Sequence, residues 1–199
     1  MAQATPRYHH GNLRAELLVS AERKLETTGV QGLSLRELAR EIGVSHGAPR
    51  QHFPDKQALL DALAVLGLER LGRELGAALG EAEGPFADRL LAFVRAYVRF
   101  ATAHPAMLAL MFARKDRPDA PELLEAGERA FAAPVALIAG AQAAGEIDDA
   151  DPDRVAMALL ATIQGLATII TGGMIGDRSD DVVVSGTVET LLRGLRPTR

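Results

Sequence analysis

The 199-residue chain is 48% hydrophobic and 24% charged, the balance of an ordinary globular protein rather than a disordered one. It has no cysteine, which excludes disulfides and thiolate chemistry and suits a reducing cytoplasm. Its net charge of −4 is uneven, with eight Lys/Arg against six acids in residues 1–56, and four of the five histidines also lie there, which hints at a polyanionic partner for the N-terminal part.

The start, MAQATPRYHHGN, lacks an apolar core segment, so no signal peptide is expected. Residues 12–28 place Leu13, Leu17, Ala21 and Leu25 four apart, a helical stripe that Gly29 ends. Ser34–Glu37 reads as a capping box opening a second helix, with Leu35, Leu38, Ala39 and Ile42 inward until Gly43. Ser45 is placed to cap a third helix that turns Ala48 and Phe53 inward, and Pro54-Asp55 stops it. From Lys56 an apolar period runs to Glu83, long enough to reach ~40 Å, and its internal glycines make it a possible flexing element. Helices are predicted from Phe86 to about Ala103, over 106–113, over 121–144 with a bend at Pro134, from Asp151-Pro152 onward, and over about 181–195. No strand alternation occurs, so the fold class is all-α. An N-terminal helix-turn-helix unit (1–56) and a longer C-terminal helical unit (57–199) are expected.

The stretch 155–176 carries no charge and is long enough to span a bilayer. Gln164 and three threonines interrupt it, and both flanks are acidic, without a positive-inside bias. A helix buried all round, in a core or a dimer interface, is the better account, and no membrane partner is expected.

Residues 34–53 form helix, glycine turn, helix. In such a pair the second helix packs on the first and leaves its outer face free for a DNA major groove. That face holds Ser45, His46, Gly47, Arg50 and Gln51. Arg and Gln match guanine and adenine edges bidentately, and Gly47 and Ala48 let the backbone come close to bases. Candidate phosphate contacts are the N-terminal arm with Arg7, Tyr8 and His9, together with Ser34, Arg36, His52 and Lys56. The plainer reading is a tight helix pair with a solvated polar face.

The segment GVQGLSLRELAREIGVSHGAPRQHFPDKQALLDAL, with its H-F pair and its P-D-K-x-x-L-L, resembles the DNA-binding domain of the TetR family of bacterial transcriptional regulators. The resemblance covers about residues 12–60. It implies a homodimer that binds palindromic double-stranded operator DNA and is released by a small-molecule effector held in the C-terminal part. It also implies that Ser45 to Gln51 face bases and that His52 and Lys56 hold the backbone. Arg50 stands where many members have a phosphate-contacting Tyr. The Y-H-H-G-x-L-R start resembles a subgroup with a C-terminal Trp-x-x-x-His-Gly, where this chain has Leu160, Gln164 and Gly165. The last two long helices would pair across the two-fold axis as a four-helix bundle.

Phe86, Phe93, Tyr97 and Phe100 share one helix face, and Met107, Met111 and Phe131 are candidates to join them. Such a stripe is ordinary core. It also suits the lining of a cavity for a mostly apolar or aromatic ligand, with Tyr97 and Gln164 as polar handles. Asp149-x-Asp151-x-Asp153 begins like a calcium loop, but Arg154 and Leu160 occupy the positions that need Gly and Glu, so helix capping explains it better. His9-His10 has no accompanying metal-ligand cluster, and no phosphate-binding glycine loop or catalytic triad spacing occurs. No metal, cofactor or enzyme activity is expected. The alternatives are a helical small-molecule-binding protein or enzyme without sequence-specific DNA binding, and a ligand-blind architectural DNA binder.

Overall fold

A computed structural model describes residues 13–114, 119–148 and 150–194. Among the described residues there are eight α-helices and no strand: α1 (Leu13–Thr28), α2 (Leu35–Glu41), α3 (Lys56–Glu81), α4 (Phe86–Ala103), α5 (Pro105–Arg114), α6 (Pro121–Ala143), α7 (Pro152–Thr171) and α8 (Asp180–Gly194). Two short 3-10 turns, Val30–Gly32 and Ala48–Gln51, complete the N-terminal part.

Local chemistry sets most boundaries. The Asp55 carboxylate accepts from the Ala58 N–H at 2.8 Å and caps α3. The Asp151 carboxylate accepts from the Asp153 N–H at 3.0 Å, and Pro152 then opens α7 without a wasted donor. Gly84 at φ 95 makes the left-handed turn between α3 and α4. The Glu146 carboxylate, sixty residues away in sequence, accepts from the Phe86 N–H at 2.7 Å and caps α4. Pro134 lies inside α6 without ending it.

The capping box expected at Ser34 is not closed. Ser34 sits at the cap position of α2, but its side chain makes no capping bond. Glu37 instead pairs with Lys24 of α1 at 2.8 Å, so the carboxylate is used between helices rather than within one.

One hydrophobic cluster runs from Leu13 in α1 to Val188 in α8 and crosses the expected boundary at 56/57. The long α3 is its axis, with Leu59, Leu63, Leu71 and Leu75 wholly buried. Two of its glycines serve packing. A Cβ on Gly67 would meet the Met111 sulfur at 2.7 Å, and one on Gly72 would meet the Ala130 Cα at 3.0 Å. Those two positions let α5 and α6 lie close against α3.

Polar clamps tie α3 and α5 to α1 and to each other. Arg70 of α3 donates to both carboxylate oxygens of Glu22 in α1, at 2.5 and 3.0 Å. Arg114 at the end of α5 is buried; it donates to Asp61 at 2.6 Å and to the Gln57 side chain at 2.9 Å. Glu26 of α1 accepts from the first two N–H groups of α5, Ala106 at 3.2 Å and Met107 at 3.1 Å. Pro105 has no N–H to offer, so Glu26 serves as the cap of α5. Glu26→Ala is therefore expected to cost about 1–2 kcal/mol, the worth of a helix cap with charge assistance. Urea denaturation checks this, and an unchanged midpoint would show that water replaces the carboxylate.

Candidate functional site

The sequence predicts an α-helix after Ser45, but the backbone makes only a tight 3-10 turn. Ala48 donates to Ser45, Arg50 to Gly47 and His52 to Pro49, each three residues back, at 3.0, 3.2 and 3.0 Å. Pro49 has no N–H, and Gly47 disfavours the helical state, so no run of four-residue bonds can start there. Phe53 then bonds back to Pro49 at 2.8 Å and closes the segment.

This turn is anchored from beneath. Pro49 and Phe53 are buried, and the Arg14 guanidinium of α1 lies 5.4 Å from the centre of the Phe53 ring. Ser45, His46, Gly47, Arg50, Gln51 and His52 are exposed, and Ala48 is half-buried against the core. A single open groove gathers Ser34, Arg36, His46, Gly47, Arg50, Asp55 and Lys56 along its walls. Arg36, Arg50 and Lys56 form no ion pair among the described residues. The one acid in the groove, Asp55, is occupied as the cap of α3. The groove is thus cationic and adjoins the N-terminal end of α3, where the helix dipole also favours an anion. Arg7, Tyr8 and His9, expected to touch phosphate, lie outside the described residues, as do His10 and Asp149 of the metal-like motifs.

A second site lies in the C-terminal helices. Leu90, Phe93 and Tyr97 of α4, Phe131, Pro134, Val135 and Ile138 of α6, and Met157, Leu159, Leu160 and Ile163 of α7 line a partly open cavity of about 150 Å³. Of the predicted ligand set, Phe93, Tyr97 and Phe131 reach it. Phe100 does not: it is buried with its ring 5.2 Å from that of His104. Met107 and Met111 do not reach it either, because they pack on the bare face of Gly67. Gln164, on α7, is not among the walls. The aliphatic walls from α6 and α7 were not predicted. The only sequence signal for them was the helical period of residues 121–144 and 155–171, which marks core as readily as cavity.

An adjoining cavity of about 210 Å³ is lined by Leu68 of α3, Met111 and Phe112 of α5, and Leu124, Gly127 and Phe131 of α6. Phe131 is therefore a wall of both. Among the described residues the hydroxyl of Tyr97 has no hydrogen-bond partner, and burial drives its pKa above the usual tyrosine range, so it remains a neutral donor.

The uncharged helix, α7, is long and apolar enough to cross a membrane by length and composition. It is not buried all round: only 33% of its most apolar stretch is covered within the chain. Val155, Leu159, Ile163, Leu166 and Ile170 face the core, while Ala158, Ala161, Gly165 and Thr168 are exposed, with Met157 64% and Ile169 42% exposed. On α8, Val182 is 62% exposed and only Val184 and Val188 are buried.

Comparison with known proteins gives a consistent picture. Residues 17–63 match the family described as bacterial regulatory proteins, tetR family, and residues 90–194 match the tetracyclin repressor-like C-terminal domain. A protein of unknown function from Rhodococcus sp. RHA1 has the same fold at a TM-score of 0.89, with 47% identity over 97% of this chain and 100% of that one. The class D tetracycline repressor protein of Escherichia coli is 35% identical over 88 residues, which is 44% of this chain and 40% of the repressor. The Bacillus subtilis transcriptional regulator FadR, solved in complex with stearoyl-CoA, shares the fold at a TM-score of 0.73 with 14% identity, over 92% of this chain and 99% of that one. With both halves of the sequence matched, and the second match alone covering residues 90–194, the chain belongs to the TetR family of bacterial regulatory proteins.

Proposed function

We propose that the protein is a ligand-responsive DNA-binding transcriptional regulator, a repressor released from its operator by a small, mostly apolar molecule. The observation that carries this reading is the cationic groove around residues 34–56, whose exposed turn offers Arg50 and Gln51 outward from a firmly buried base. Ser45, His46, Gly47, Ala48, Arg50 and Gln51 form the base-reading edge. Ser34, Arg36, His52 and Lys56 hold phosphates on either side.

Two chains would pair through the exposed apolar faces of α7 and α8. The paired reading turns would then meet a palindromic operator, with half-sites about 34–36 Å apart. The cavity walled by α4, α6 and α7 is the effector site. A ligand there presses on Phe131, and the second cavity gives that ring room to turn toward Leu68 of α3 and Met111 of α5. Helix α3 begins at Lys56 in the DNA groove and is clamped to α1 through Arg70 and Glu22, so its displacement moves the reading turn. The ligand shifts the DNA-binding equilibrium only by its differential affinity for the two arrangements.

The test is fluorescence anisotropy with DNA from just upstream of the protein's own gene, over a salt series, against random DNA. Tight binding that prefers the upstream DNA is expected, with log K falling linearly in log salt. Equal and weak binding to both would overturn the reading in favour of a helical ligand-binding protein.

A further inference from the structure

The two cavities of the C-terminal helices lie along one face of α6. Leu124, Gly127, Phe131, Val135 and Ile138 recur every three or four residues, so they form one stripe on that helix. Leu124 and Gly127 line the cavity against α3 and α5, and Val135 and Ile138 line the cavity against α4 and α7. Phe131, at the middle of the stripe, lines both, and no other described residue does. Its ring is half-buried and packs on the core. Between Leu124 and Phe131 the stripe covers ~10 Å of helix, and between Phe131 and Ile138 it covers about as much again. The linings are carbon except for the exposed Glu128 at the edge of the second cavity. Tyr97 contributes its ring alone, since its hydroxyl is buried away from the space.

We propose that Phe131 is a specificity-determining residue: its ring partitions one elongated apolar channel and so limits the length of the hydrocarbon chain that an effector carries. This rests on the reading of the cavity between α4, α6 and α7 as the effector site. That cavity is partly open, and the exposed side chains of Val135 and Met157 form its lip. A polar head group stays at the lip in water, because the walls offer it no partner. The chain runs inward along α6 toward the Phe131 ring. Each methylene moved from water onto carbon walls strengthens binding about fourfold, and each one left outside the lip adds nothing. The limit is therefore set by how many carbons find walls before the ring stops them, and it does not require a sealed space. With the ring removed, the chain gains the walls of the second cavity, Leu68, Met111 and Phe112.

The experiment titrates the straight-chain primary alcohols from butanol to decanol calorimetrically into the full chain. Wild-type affinity is expected to rise about fourfold per carbon and then to level off. Phe131→Ala is expected to level off several carbons later. Phe131→Leu removes less volume, carries the same expectation with a smaller extension, and serves if the alanine variant does not fold. Gly127 supplies the control. A Cβ there meets nothing within 4 Å, so Gly127→Leu fills the second cavity without a clash, and leucine is the better helix former. Gly127→Leu alone should keep the wild-type limit, and adding it to Phe131→Ala should restore that limit. The same limit in wild type and both Phe131 variants, or a longer limit that survives Gly127→Leu, would overturn the partition. If no alcohol binds wild type, the reading of the cavity as a ligand site falls first. A parallel anisotropy titration on operator DNA separates the two levels. If the alcohols show the expected limits yet leave DNA affinity unchanged, the length selection stands and the regulatory reading of the cavity falls.

Discussion

Ala161→Glu is expected to make the protein monomeric at micromolar concentration and to weaken operator binding by about 100-fold or more. Ala161 lies on the exposed stripe of α7 with Ala158, Gly165 and Thr168, four small residues at helical spacing that let a second helix approach closely. A glutamate there changes nothing inside the chain, since the position is exposed, and glutamate is nearly as good a helix former as alanine. In a two-fold pair it appears twice, near its own copy, and buries two like charges. Each monomer would keep its reading turn, but the second half-site contact would no longer be intramolecular, and that effective concentration is what the dimer adds. Sedimentation velocity reads the association state, and circular dichroism confirms that the helices are retained. A variant that stays dimeric with unchanged operator affinity would move the interface off this face.

What the sequence made legible follows the range of the signals. Asp55, Gly84-Pro85 and Asp151-Pro152 act within a turn of their own position, and the helices begin and end there as their chemistry dictates. The closure at Ser34 failed as an expectation because Glu37 has a better partner in Lys24, on another helix. The inward residues Ala48 and Phe53 suit an α-helix after Ser45, as the sequence predicts. The missing N–H of Pro49, visible in the sequence, outweighs them.

The cavity divides the same way. The aromatic stripe of α4 is periodic and local, so Phe93 and Tyr97 were readable. Phe100 shares that stripe but sits one turn further along, against His104. Met107 and Met111 look like cavity residues in sequence, yet the bare face of Gly67 draws them to α3. Leu160 and Ile163 come from a helix more than sixty residues away, and nothing in their own surroundings distinguishes cavity from core. The exposed face of α7 was hidden for a different reason: a helix without charges has no polar side to mark where solvent begins.

Arg50→Ala is expected to cost far more on operator DNA than on random DNA. Its guanidinium is exposed at the middle of the 3-10 turn and has no ion-pair partner among the described residues, so it meets DNA without first breaking a bond. The turn itself is held by buried Pro49 and by Phe53 under Arg14, which keeps the ordering cost of Arg50 low. A bidentate contact to a guanine edge discriminates by ~1–3 kcal/mol, and a symmetric dimer makes it twice, so operator affinity should fall roughly 30-fold to 10⁴-fold. Random DNA offers no matched base and loses only the charge. Lys56 is the contrasting case. It is half-buried at the first position of α3, on the wall of the groove, and has no base-matching geometry. Lys56→Ala should weaken operator and random DNA alike and lower the slope of log K against log salt by about one for each chain. Anisotropy over a salt series measures both variants on both DNAs. If the two variants prove indistinguishable, Arg50 holds phosphate like the tyrosine common at its position, and base reading passes to Gln51 and the exposed backbone of Gly47.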